Sequence, residues 1–143
     1  MTIKETQNEI IEEFALFDEW MDKYEHIIEL GKDLPIIADQ YKTEENLIKG
    51  CQSRVWLHAD LIDNKIVFSA DSDAIITKGI IGLVIRVFSN QTPKDIAESE
   101  LFFIDQIGLK EHLSPTRSNG LLAMVKQIKM YAIVYSSQVS DHS

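Results

Sequence analysis

The sequence predicts an α+β fold, with a small antiparallel sheet of about three strands and helices packed on one of its faces. Three observations lead there. Apolar residues recur at helical spacing near both ends of the chain. Between them, Val55 and Leu57 alternate with Trp56 and His58, followed by a turn signal at Asp63-Asn64-Lys65 and a second β-rich run, Ile66-Val67-Phe68. The resulting order of helices, hairpin and helices segregates the two kinds of element, as α+β domains do. A chain of 143 residues is long enough for one domain with a real core. That domain is expected to span residues 1–143, with a frayed polar tail from about residue 137.

Each element has its own reason. Over residues 5–30, Ile10, Phe14, Phe17 and Met21 form one apolar stripe, and Trp20, Tyr24, Ile27 and Ile28 form another. Two stripes predict two helices meeting near Asp18, which would cap the second, with Gly31 as its stop. His26 is read as a surface or half-buried helix residue. Residues 31–45 form an irregular connection containing Pro35. The hairpin follows, with strands over about 53–62 and from Ile66, and an extended piece over 46–49 supplies the third strand. Asp71-Ser72-Asp73 then opens a buried helix, with Asp73 as its cap and Gly79 and Gly82 permitting close packing. Pro93 and the run Leu101–Ile107 predict two short helical pieces. Ser114-Pro115-Thr116-Arg117 starts the last helix, whose apolar face is Leu121, Met124, Val125, Ile128, Tyr131, Ala132 and Tyr135.

The totals exclude several functions. A net charge of −9 argues against non-specific binding to nucleic acid or to an anionic membrane. The longest apolar run, Ile75 to Phe88, contains Lys78 and Arg86 and falls short of the roughly 20 residues a bilayer span needs. The N-terminal residues carry acids and no apolar core, so no signal peptide is expected. A single cysteine rules out an internal disulfide framework, a four-cysteine zinc site and a self-contained iron–sulfur centre. A free thiol suits a reducing cytosol, and a cytoplasmic location is expected.

That cysteine, Cys51, lies in Gly50-Cys51-Gln52-Ser53, a polar, turn-like stretch at the entrance to the first strand. Gly50 allows the backbone to bend there. A lone cysteine commonly packs as a small buried hydrophobe. The polar setting is a poor one for a core filler and brings the reading of a thiol presented to a partner level with it, so the sequence context leaves both readings open. Beside Cys51, Arg117 is notable as a cation at a helix N-terminus, where positive charge is not favoured. His58 and His112 are isolated, and no Gly-rich phosphate loop, HExxH or GxSxG occurs.

Four blocks carry a resemblance. They are Trp20 to Pro35, Gly50-Cys51-Gln52-Ser53-Arg54-Val55-Trp56, Asp71-Ser72-Asp73-Ala74 with Lys78-Gly79, and His112 through Met124. In this order they resemble the SufE/CsdE family of sulfur-acceptor proteins, the partners of cysteine desulfurases. The family often reads Leu-Thr-Pro-Ser-Arg in the last block, so Ser114 and Thr116 are hydroxyl exchanges. The resemblance implies a fold shared with IscU-type scaffolds, and a sulfur carrier that also stimulates its desulfurase. Cys51 would take persulfide sulfur from a SufS/CsdA-like enzyme and pass it to a SufBCD-like scaffold for iron–sulfur cluster assembly. Pyridoxal phosphate would belong to the partner, so no cofactor and no metal is expected here, nor independent turnover. IscU-type scaffolds use several cysteine ligands, so the cluster-building role does not transfer.

Gly50, Gln52, Ser53, Asp73 and Arg117 are the expected supporting or docking residues. Gln52 and Ser53 are read either as hydrogen-bond donors to a thiolate or as turn formers. Asp73 and Arg117 are expected near the Cys51 loop, and Cys51 itself is expected to be partly sheltered at rest. A rival reading is a thiol-dependent hydrolase or transferase of small molecules, with His58 or His112 as base to Cys51. A third is an interaction module without chemistry. The sequence leaves a homodimer open.

Overall fold

A computed structural model of the protein describes residues 1–139. Among these residues the order is α1 (Ile3–Phe14), α2 (Trp20–Gly31), β1 (Val55–Ile62), β2 (Lys65–Ser72), α3 (Ile75–Phe88), α4 (Pro93–Glu98), α5 (Phe103–Gln106), α6 (Leu109–His112) and α7 (Pro115–Ser136). The expected tail falls on residues 137–143, of which 140–143 lie outside the described residues.

β1 and β2 form an antiparallel hairpin in which Ile62 pairs with Lys65 across a two-residue turn. Asp63 and Asn64 both take positive φ, 52° and 66°, as the tight hairpin turn requires. The register sets Leu57 opposite Ala70 and Ala59 opposite Phe68, and all four are buried on one face. Helices pack there: α3 lies against β2, and on α7 Tyr131 and Tyr135 donate to the Leu57 and Ala59 carbonyls at 3.4 and 2.9 Å.

The third strand is corrected. The stretch 46–49 makes one bridge, Leu47 to Trp56, with Ile48 N–H donating to the Val55 carbonyl at 2.8 Å. A 3-10 turn at Glu44–Asn46 precedes it and Gly50, at φ 96°, follows, so too few residues remain extended to continue a ladder. Both sheet edges are nonetheless occupied, since Pro35 and Ile37 exchange backbone hydrogen bonds with Ala70. The opposite face of the hairpin is covered by a strap containing Asp39–Tyr41 and Glu44–Asn46. Tyr41 stacks on His58 with ring centroids 3.7 Å apart. Lys42 sits over the Trp56 ring and reaches Asp71 at 2.8 Å, and Lys78 joins the same carboxylate at 3.3 Å.

Two capping expectations also change. Glu19, not Asp18, occupies the α2 cap position, and no side chain bonds there. At α3 the cap position is Ala74; Asp73 stands one residue too early and turns elsewhere. Gly31 ends α2 inside the helix rather than as a left-handed stop. Its use is spatial: α2 and α3 cross so closely that a methyl group at Gly31 would lie 3.0 Å from the Gly79 nitrogen. One at Gly79 would overlap the Ile27 carbonyl. α1 begins earlier than expected because Thr2 and Glu5 form a capping box. It is tied to α3 by Arg86, which pairs with Glu9 and Glu13 at 2.7 and 2.9 Å. α7 starts as the sequence predicts, with Ser114 capping the Arg117 N–H and Pro115 in the first turn. No helix among the described residues is long and apolar enough to cross a membrane.

Candidate functional site

The loop between Ile48 and Val55 is pinned at its base. The Ile48–Val55 hydrogen bond closes it on one side. On the other, Asp73 accepts the Arg54 N–H on Oδ1 at 3.1 Å, and the Asp73 N–H returns to the Arg54 carbonyl at 3.3 Å. Asp73 therefore serves the loop rather than the α3 terminus. Gly50, at φ 96°, turns the chain toward α7, where a methyl at this position would touch the Ala123 Cβ at 3.4 Å.

This turn sets Cys51 half-buried against α7. Its Sγ donates to the Gly120 carbonyl at 3.6 Å. Burial pushes the Cys51 thiol above its ordinary range. The S–H donated to a carbonyl acts in the same direction, since only the protonated form can make that bond.

Cys51, Gln52 and Ser53 roof a cavity of about 320 Å³. Its floor is Thr77 and Ile80 of α3, and its wall is Ser114 and the first turns of α7: Thr116, Arg117, Gly120 and Met124. Arg117 is exposed, and its Nη1 donates to the Tyr24 hydroxyl at 3.3 Å. Among the described residues no carboxylate pairs with Arg117 and none lines the cavity. Gln52 is exposed and Ser53 is half-buried; the thiol's hydrogen bond goes to Gly120 rather than to either.

The structure thus brings Cys51, Gln52, Ser53 and Arg117 around one cavity, with Gly50 beside it against α7 and Asp73 at the loop's base. It does not bring a histidine there. His58 bonds Asp60 at 3.0 Å under the Tyr41 ring. His112 bonds the Gly108 carbonyl at 2.9 Å and stacks on Trp20, and His26 is half-buried against Glu13. Among the described residues no His, Cys, Asp or Glu cluster is built to hold a metal ion.

Sequence reasoning missed Thr77, Tyr24 and the Gly120 carbonyl. The spacing Arg117, Gly120, Met124 places those three on one helical face, and that periodicity could have extended the site along α7. Nothing local marks Thr77, which joins the site only through the α3–α7 packing.

Comparison with known proteins gives the chain its relatives. A sequence model of SufE, described as an Fe-S metabolism associated domain, matches residues 8–132. An uncharacterized SufE-like protein of Rhizobium meliloti (strain 1021) is 42% identical over 130 residues, covering 87% of this chain and 93% of its own length. An uncharacterized SufE-like protein of Rhizobium etli is 42% identical over 132 residues, covering 89% of each. The solution structure of a hypothetical protein from Thermus thermophilus superposes with a TM-score of 0.77 at 19% identity, over 92% of this chain and 96% of its own, and so shares the fold.

Proposed function

The chain belongs to the SufE family, and from that premise we propose that it carries sulfane sulfur on Cys51 for iron–sulfur metabolism. The donor is the persulfide of a cysteine desulfurase, and the recipient is a cluster-assembly scaffold. The Cys51 thiolate attacks the outer sulfur of the donor persulfide, a new S–S bond forms, and the donor cysteine leaves as thiolate. Cys51 then holds the sulfur as a persulfide. Pyridoxal phosphate chemistry stays with the desulfurase, and docking of this chain stimulates that enzyme by removing its product sulfur. A persistent free thiol suits the reducing cytosol.

One observation carries the reading: the single thiol of the chain sits in a loop, half-buried over a cavity, with hydrogen bonds at the loop's base. Transfer requires a nucleophile that can be both sheltered and presented. The hydrolase reading requires an imidazole beside the thiol, and the histidines of the described residues are engaged elsewhere. Gln52, Ser53, Asp73 and Arg117 are assigned to holding and docking the loop.

Incubating the protein with a desulfurase and cysteine is expected to add the mass of one sulfur at Cys51. Cys51→Ser is expected to fold, to gain no sulfur and to lose stimulation of the desulfurase. Undiminished stimulation by that variant would leave only an interaction module.

A further inference from the structure

We propose that the cavity beneath Cys51 is also a binding site for a small thiol bearing a carboxylate, which takes the sulfane sulfur directly from Cys51. The inference rests on the carrier reading above. It starts from Thr77, the third residue of α3. Thr77 is only 8% exposed, yet among the described residues its hydroxyl has no hydrogen-bond partner. The sealed and unpaired side-chain atom among these residues is Trp20 Nε1, so the Thr77 hydroxyl keeps its access through the cavity it lines. Being open to the cavity, that hydroxyl is free to donate to a bound carboxylate oxygen, which would take the place of solvent there.

The other walls favour an anion. Arg117 has one N–H committed, to Tyr24, and no carboxylate partner among the described residues. Ser114 and Thr116 add hydroxyls, and the Thr116 amide is in the first turn of a 22-residue helix, where N–H groups lack intrahelical acceptors. The planar guanidinium matches a carboxylate better than a spherical anion. At about 320 Å³ the cavity is far larger than the one sulfur atom a persulfide adds, and it is of small-ligand size. Because Cys51 roofs the same space, a thiol anchored by its carboxylate on Arg117 and Thr77 brings its sulfur to the persulfide.

The exchange balances without another reactant. The small thiolate attacks the outer sulfur of the Cys51–S–SH group. Its new S–S bond forms as the Cys51 S–S bond breaks. Cys51 leaves with the electron pair and takes a proton from water. The net change, RSH + Cys51–S–SH → RS–SH + Cys51–SH, moves one sulfur and oxidises nothing.

The test installs the persulfide chemically, by displacing an aromatic thiol from the Cys51 mixed disulfide with hydrosulfide, so that no desulfurase is needed. Loss of one sulfur is then followed by intact mass with mercaptopropionate and with mercaptoethanol, each rate expressed per thiolate. Mercaptopropionate is expected to saturate and to react roughly tenfold faster, about what one hydrogen bond to a charged group provides. A peptide persulfide should show no such preference. Thr77→Val, which keeps the shape of the side chain, should erase the preference, and Thr77→Ser should restore it. Equal rates for the two thiols, or a preference untouched by Thr77→Val, would overturn the proposal. Failure of the unmodified protein to load from a desulfurase would defeat the carrier reading instead, and the two failures are read in separate experiments.

Discussion

Cys51 is held in its least reactive form at rest. Burial and the bond to the Gly120 carbonyl both favour the protonated thiol, and the thiol is not the nucleophile. Alkylation of Cys51 by a small neutral reagent is therefore expected to be slower at neutral pH than that of a free model thiol, with its pH–rate profile displaced to alkaline pH. An unshifted profile would mean that the loop does not shelter the thiol. The linkage sign follows the same direction. A folded-state pKa raised above the unfolded value gives stability that is present below the unfolded thiol pKa and is lost as pH rises through the folded one. Cys51→Ser should remove that alkaline component. Gly50 adds a second handle. At φ 96° a valine would be strained in the resting loop. Gly50→Val is thus expected to label fast without any partner, because the strained loop opens. At this scale Cys51 was legible because a glycine and two polar residues beside a lone cysteine are a local pattern. Thr77 was not, because its role depends on which helices meet.

Among elements, the α2–α3 crossing is where the sequence's glycines do different jobs. Gly79 faces the Ile27 carbonyl, whereas a methyl at Gly82 would meet Leu30 and Leu34 atoms only at 3.7 and 3.9 Å, an ordinary contact. Gly79→Ala must therefore push two helices apart, at a cost of roughly 1–3 kcal/mol or more. Gly82→Ala should gain up to about 1 kcal/mol, the intrinsic preference of a helix interior for alanine. Denaturant melts of the two variants check this, and a Gly79→Ala protein as stable as the parent would show that the helices do not cross this closely. The helices themselves were legible from apolar periodicity, and so was the hairpin, from its two-residue turn. The Asp18 and Asp73 caps were not, because a one-residue shift in a helix start moves an acid out of capping range while leaving the periodic pattern intact. The third strand failed for a related reason: alternation marks residues able to extend, but the turn at Glu44–Asn46 and the bend at Gly50 decide how many do.

Over the whole molecule, the loop is an exposed tip on a rigid frame. α3 and α7 are fixed by the shared core, β1 is paired along its length with β2, and the strap is held by the Lys42–Asp71–Lys78 cluster. Opening therefore needs to break little beyond the Cys51–Gly120 contact and the two Arg54–Asp73 hydrogen bonds, one to the Asp73 carboxylate and one from its N–H. Asp73 is exposed and makes no cap, so Asp73→Ala removes the carboxylate's bond to the Arg54 N–H, keeps the main-chain bond between the two residues and does not reach the core. That variant is expected to alkylate at Cys51 several-fold faster than the parent, since one modest hydrogen bond shifts an opening equilibrium by about that factor, while its melting temperature stays nearly unchanged. A partner that binds the open loop more tightly than the closed one shifts the same equilibrium. Substoichiometric desulfurase lacking its own catalytic cysteine should accelerate labelling of the parent, whereas a saturating complex would cover the thiol again. In Asp73→Ala the acceleration should be smaller, because part of the opening has already been accomplished. Equal resting rates in parent and variant, with equal acceleration, would locate the restraint elsewhere in the loop and remove Asp73 from the device.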